Sequence, residues 1–161
     1  MKQIYLTSIG LLSPEVEPVE AKELAIYNQL KKIRWVDMDK GQLEFYDTRP
    51  AVPFPCALVK VEISKTEDMG NGIQRCYGRV IVRLAFNYVG ETSNLTPEAT
   101  RLQSLDYFDL VEAVYLGMQG KAVGKGKFDR QSAVEENRPD GLKVIAVPFA
   151  ASWLDTSAAK N

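Results

Sequence analysis

Asp106, Asp109 and Glu112 recur at intervals of three, a spacing that brings carboxylates to one side of a helix. A hard divalent cation takes such oxygens as ligands. The same spacing also describes the solvated side of an amphipathic helix, opposite Leu105, Phe108 and Val111. The run GKAVGKGK from Gly120 to Lys127 has the flavour of a phosphate loop. A P-loop, however, puts four residues between its glycines, follows them with Lys and Ser/Thr, and opens a helix after a strand. Here three residues separate Gly120 from Gly124, Gly126 stands where the hydroxyl belongs, and the run leaves a helix. What survives is a basic loop carrying Lys121, Lys125 and Lys127, with Arg130 close by. It is either simply solvated, or it touches nucleic-acid phosphate or an acidic protein surface through contacts that salt weakens. Arg75, Arg79 and Arg83 alternate with Tyr77 and Ile81 at a period of two. That pattern marks the water-facing side of a half-covered sheet, or a surface on which another subunit docks, since Arg and Tyr are enriched in such contacts. The chain contains no histidine. The commonest general base, the Ser-His and Cys-His pairs and most zinc sites are thereby removed, although carboxylate, Lys or Tyr chemistry survives. No catalytic residue, metal or cofactor is expected.

The elements that must position these groups follow from periodicity. Leu24, Ile26, Tyr27, Leu30 and Ile33 recur at three and four, predicting a helix over 19–33 with Pro18 at its first position. Residues 35–39 predict a short strand, Lys40-Gly41 a turn, and Leu43 to Tyr46 its return. Three prolines make Arg49 to Pro55 an extended connection. Cys56 to Ile63 and Ile73 to Val89 predict two long strands joined by the polar loop Glu67 to Gly72, a projecting hairpin with a mobile tip. Thr96 and Pro97 open a second helix with Leu102, Leu105, Phe108, Val111, Tyr115 and Met118 as its buried stripe, stopped by Gly120. Phe128 to Glu136, a turn over 137–141, and Leu142 to Trp153 predict a closing hairpin. Runs of strands punctuated by two main helices define an α+β fold, a mostly antiparallel sheet with the helices on one face.

The 161 residues amount to one domain's worth, and 45% hydrophobic with 25% charged is ordinary globular composition. The expected division is an N-terminal arm over 1–20, a single domain over 21–155 and a polar tail over 156–161. Twenty basic against 21 acidic residues leave a net charge of -1, so no global field gathers nucleic acid or an anionic membrane. The apolar run at the start is broken by Gln3, Thr7 and Ser8, lacks a small-x-small cleavage site before Glu15, and is too short to cross a bilayer. It is expected to be a structured or adaptable arm, with secretion and membrane contact not expected. Cys56 and Cys76 sit in apolar, strand-like stretches without C-x-x-C spacing, as buried reduced thiols or, if strand pairing sets them side by side, as a bridge.

The succession of segments resembles the tail terminator (tail completion, or neck) proteins of long-tailed bacteriophages and prophages. The likeness is carried by LAIYNQL at Leu24–Leu30, VDMDKGQL at Val36–Leu43, PFPCALVKVE at Pro53–Glu62, GRVIVRL at Gly78–Leu84, LDYFDLVEAVY at Leu105–Tyr115 and WLD at Trp153–Asp155. It spans about residues 21–155 as element order and local flavour, without an invariant signature. The resemblance implies an α+β subunit that forms a homo-oligomeric ring, typically of about six copies. Such a ring ends tail-tube growth and joins the tail to the head connector, in the cytoplasm of a bacterial host and then in the virion. The family carries no catalytic residues to transfer. The arm, the hairpin tip and the basic loop become candidate contacts with neighbouring subunits or with non-specific DNA in the lumen. Two other classes stand beside this one: a nucleic-acid-associated protein using the Lys loop and strand arginines, and a small enzyme or ligand-binding domain of unknown substrate.

Overall fold

Alternating apolar and polar residues build three strands of 13 residues each, β2 (Cys56–Asp68), β3 (Gln74–Phe86) and β8 (Lys143–Asp155), which form the centre of the sheet. The computed structural model describes residues 1–44, 51–87 and 90–159. The remaining described elements are α1 (Lys2–Leu12), α2 (Ala21–Leu30), β1 (Trp35–Met38), α3 (Glu98–Leu105), α4 (Tyr107–Met118), β4 (Ala122–Val123), β5 (Gly126–Lys127), β6 (Asp129–Arg130) and β7 (Val134–Glu136). The main sheet runs β1-β2-β3-β8-β6, with β7 also on β8, and only the β1–β2 pairing is parallel. The fold is α+β.

Each long strand turns one set of alternate residues to the helices. Val80, Val82 and Leu84 of β3, Val147, Phe149 and Trp153 of β8, and Ala57 and Val59 of β2 join Leu30 of α2 and Leu110, Val114 and Met118 of α4 in the main core. A smaller core lies on the opposite face at one end. There Leu43, Val52, Leu142 and Val144 cover Cys56, Leu58 and Ala85, with Trp35 and Phe54 at its border.

Several expectations are corrected. The arm placed at residues 1–20 is a helix over its first part, and Ile4, Ser8 and Leu12 are buried at four-residue spacing. Ser8 is tolerated there because its hydroxyl donates to the Ile4 carbonyl at 2.9 Å. The second helix begins at Glu98 after Pro97, with no side-chain cap, and breaks at Asp106. Around the break the hydrogen bonds tighten to i→i−3: Asp106 N donates to Gln103 O at 3.3 Å and Asp109 N to Asp106 O at 3.2 Å. The break re-phases α4, which buries Leu110, Ala113, Val114 and Met118. Leu102 and Phe108, expected inside, stand 59% and 53% exposed. The first predicted helix starts at Ala21 rather than beside Pro18. The short strand expected to turn back on itself instead pairs in parallel with β2, Trp35 opposite Cys56. Leu43 and Glu44 of its supposed return lie in a turn, whereas Phe45 and Tyr46 fall outside the described residues, as do Arg49, Pro50, Tyr88 and Val89.

The β2–β3 hairpin turns where expected, with Asn71 at φ 54. It is not a free arm, because β3 is paired with β8 as far as Gln74 opposite Asp155. The Gly/Lys loop is a tight β4–β5 hairpin, Ala122 opposite Lys127. Gly124, at φ +58, lets it approach so closely that a Cβ there would sit 2.9 Å from Trp153 Cβ. Cys56 opposes Ala85, nine residues along β3 from Cys76, roughly 30 Å at strand rise. Both thiols are buried, and at that separation they do not bridge each other.

Gly78 makes the Trp153 site possible: a Cβ there would meet the Glu62 carbonyl and lie 2.8 Å from the Trp153 ring. Gly78→Ala is therefore expected to cost about 1–3 kcal/mol of stability by overpacking. Urea unfolding checks the loss, and Trp153 fluorescence should shift in the folded state. An unchanged midpoint would show that the Glu62 backbone and the indole both give way freely.

Candidate interaction surface

β3 holds the three predicted arginines on its helix-free side, but in different states. Arg75 and Arg79 are exposed, whereas the Arg83 side chain is only 13% accessible. Arg83 donates from Nε and Nη2 to Glu136 at 2.6 and 2.7 Å, from Nη1 to Asp39 at 2.9 Å, and from Nη2 to Glu44 at 2.6 Å. Arg138 extends the group by donating to the Leu43 carbonyl, Glu44 and Asp140. Burial pushes the Glu44 carboxyl up, but hydrogen bonds and charge from Arg83, with a hydrogen bond from Arg138, outweigh it and hold it below the usual carboxylate range. Arg83 is itself raised far above its ordinary value, Glu136 contributing most. Arg83 is thus a strut that ties the loop after β1, β3 and β7 together over the smaller core, and it is withdrawn from the set of candidate contacts. The sequence offered no local sign of this, since its carboxylate partners lie 39 to 53 residues away.

The exposed pairs are of another kind. Arg79 meets Glu62 at 2.9 Å, and Lys60 reaches the same carboxylate at 2.8 Å. Hydrogen bonds from Lys60 and then Arg79 hold Glu62 below its usual range. Lys65 and the Tyr77 hydroxyl do the same for Glu67, which lies opposite Arg75. Exposed pairs of this kind contribute little to stability, because solvent screens them. Such side chains can exchange partners with a neighbouring molecule at little cost to the fold.

Four of the seven predicted basic residues come together along β8. Small side chains, Ala150 and Ser152, form the floor of a groove of about 370 Å³, flanked by Tyr77 and Arg79 on one side and by Lys127 and Asp129 on the other. Beyond it, at the hairpin tip, a notch of about 470 Å³ is lined by Met69, Ile73, Trp153 and Leu154, with Arg75 and Lys125 contributing charge. Lys125 and Lys127 have no ion pair among the described residues. Two predicted residues lie elsewhere. Arg130 opposes Phe149, on the helix side of the sheet, and stacks 3.7 Å over the Tyr115 ring. Lys121 is exposed at the base of the hairpin, where its backbone bonds Met118 and Phe128.

Asp106, Asp109 and Glu112 are exposed along α3–α4, and among the described residues no group of three or more carboxylate, thiol or imidazole side chains is placed to hold a metal. A cavity of about 510 Å³ lies under the α3–α4 break against Phe86, Ser104, Tyr107 and Leu110, with Lys32 and Asp106 also lining it. Among the described residues no helix is long and apolar enough to cross a membrane. No protein-family model matches the chain, and no curated protein matches it.

Proposed function

We propose that this chain is a structural, non-enzymatic assembly protein: a ring-forming subunit of the tail-terminator or neck type, capping a phage tail tube and joining it to the head connector. The observation that carries the reading is the large apolar surface left in water by a well-cored fold. Leu95 is 88% exposed, Leu102 59%, Val134 57%, Phe108 53% and Met69 51%. They lie on separate faces: the segment before α3, the α3–α4 ridge, the β7 edge and the hairpin tip. A ring subunit held between two other proteins has neighbours on several sides, and large apolar side chains standing in water on several faces suit such contacts. The succession of helix, strands, long hairpin, helix and closing hairpin is the one on which the family resemblance rests.

The test is solution mass by light scattering together with negative-stain imaging, alone and with purified tail tubes. Closed rings of about six copies, or rings seated on tube ends, are expected. A chain that stays monomeric at high concentration and leaves tubes uncapped would overturn the proposal. A nucleic-acid reading has its own support in the gathering of Arg75, Arg79, Lys125 and Lys127 along one face. It would be favoured by retention on a polyanion column that is lost at moderate salt.

A further inference from the structure

The two ends of β3 carry surfaces of opposite character. At the Gln74 end lies the notch, with an apolar lining of Met69, Ile73 and Leu154, cations Arg75 and Lys125, and no carboxylate among its lining residues. At the Phe86 end the strand meets the start of α4: the Phe86 and Tyr107 rings lie 5.7 Å apart, and Tyr107 stacks on Phe108 at 4.2 Å. From there α3–α4 presents Leu102 and Phe108, both more than half exposed, beside Asp106, Asp109 and Glu112. These three carboxylates form no ion pair among the described residues. One surface is a notch, apolar and cationic; the other is exposed, apolar and anionic. An apolar centre with a charged rim is the anatomy of a protein–protein contact, and the opposed signs give each surface the other as its complement.

We propose that the notch of one copy receives the Phe108 ridge of the next, so that Arg75 and Lys125 meet Asp109 and Glu112 across a head-to-tail interface. Arg75 and Phe86 are 11 residues apart on one strand, roughly 36 Å, so a molecule cannot satisfy both surfaces by itself. A two-fold contact pairs them only if both surfaces share one side of the molecule, each notch then taking the other copy's ridge. A heterologous contact pairs them one at a time, and generates a ring when its rotation closes and a filament when it does not. This deepens the ring-subunit reading and rests on it for closure alone.

Charge exchange tests it. The notch variant Arg75→Glu/Lys125→Glu and the ridge variant Asp109→Lys/Glu112→Lys change exposed residues only. Each alone is expected to raise the half-assembly concentration at least about tenfold, as like-charge juxtaposition does at an interface. An equimolar mixture should restore assembly, because the reversed notch now fits the reversed ridge, and a single chain carrying all four changes should assemble by itself. Wild-type rings that persist in both variants would overturn this interface and leave the ring reading standing. Loss in both variants without restoration on mixing would overturn direct pairing of the two surfaces. Wild-type open chains of variable length, abolished by either variant, would uphold the interface and overturn ring closure. A wild-type chain that stays monomeric to its solubility limit and leaves tube ends uncapped would overturn both.

Discussion

Phe149→Ala is expected to remove about 3–5 kcal/mol of folding stability, a large part of the roughly 5–15 kcal/mol that holds a domain of this kind together. Phe149 is fully buried at the centre of β8. Its ring meets Phe128 edge-on, centroids 6.1 Å apart and planes at 75°, an arrangement that adds about 0.5–1.5 kcal/mol to plain burial. It faces Val80 across the β3 ladder and Arg130 across the β6 ladder. Truncation leaves a void bounded on both sides by paired backbone, which cannot collapse to fill it. Urea titration followed by far-UV circular dichroism checks the loss. A cost below about 1 kcal/mol would show that α4 settles into the void.

Arg83→Met should be nearly as damaging, at about 3–5 kcal/mol. Methionine keeps the aliphatic stem, so what disappears is the charge shared by Asp39, Glu44 and Glu136. Asp39 is only 9% accessible and loses its sole ion pair among the described residues. Were these ordinary surface pairs, the loss would stay below about 1 kcal/mol, so the magnitude separates the two descriptions. The pH dependence gives a second readout. A carboxyl whose folded value is depressed adds stability that is fully present above its unfolded value, 4.5 for Glu44, and is lost as pH falls through the folded value. The wild type should therefore lose stability below about pH 4.5, and Arg83→Met should show a shallower acid limb. Equal acid slopes in the two proteins would mean that Arg83 does not govern Glu44. Arg83→Lys should recover part of the loss, since an ammonium keeps the charge but not the planar set of donors.

The centre of the sheet was legible because it is periodic. Arg79, Ile81 and Arg83 alternate with Val80, Val82 and Leu84, and a period of two fixes which side faces the helices. The stripe of α2 was legible in part for the same reason at period 3.6: Leu30 is buried, and Ile26 and Ile33 pack partly against the core. The phase of α3–α4 was not. Leu102, Leu105 and Phe108 fit a continuous helix well, but the break at Asp106 ends that continuity, and Ala113 and Gly117 then suit the side packed closely on α2, a Cβ at Gly117 lying 3.2 Å from Leu30 Cδ1. Burial of α1 was obscured by Ser8, whose hydroxyl is satisfied within the helix. Of the interaction surface, residue types were visible but grouping was not. Arg75 and Lys125 share a notch only because β4–β5 folds against the end of β8, a long-range event without a local pattern.

The second, smaller core has a mechanical consequence. At the Phe86 end the sheet is gripped from both sides, by helices on one and by Leu43, Val52 and Leu142 on the other. At the Gln74 end the cover is the β4–β5 flap against Trp153 and residues 158–159 against Gly72. The sheet is thus held like a beam clamped more firmly at one end. Thermal bending and local opening concentrate toward the other end, where the notch can flex to fit an incoming surface while the clamped end keeps its shape.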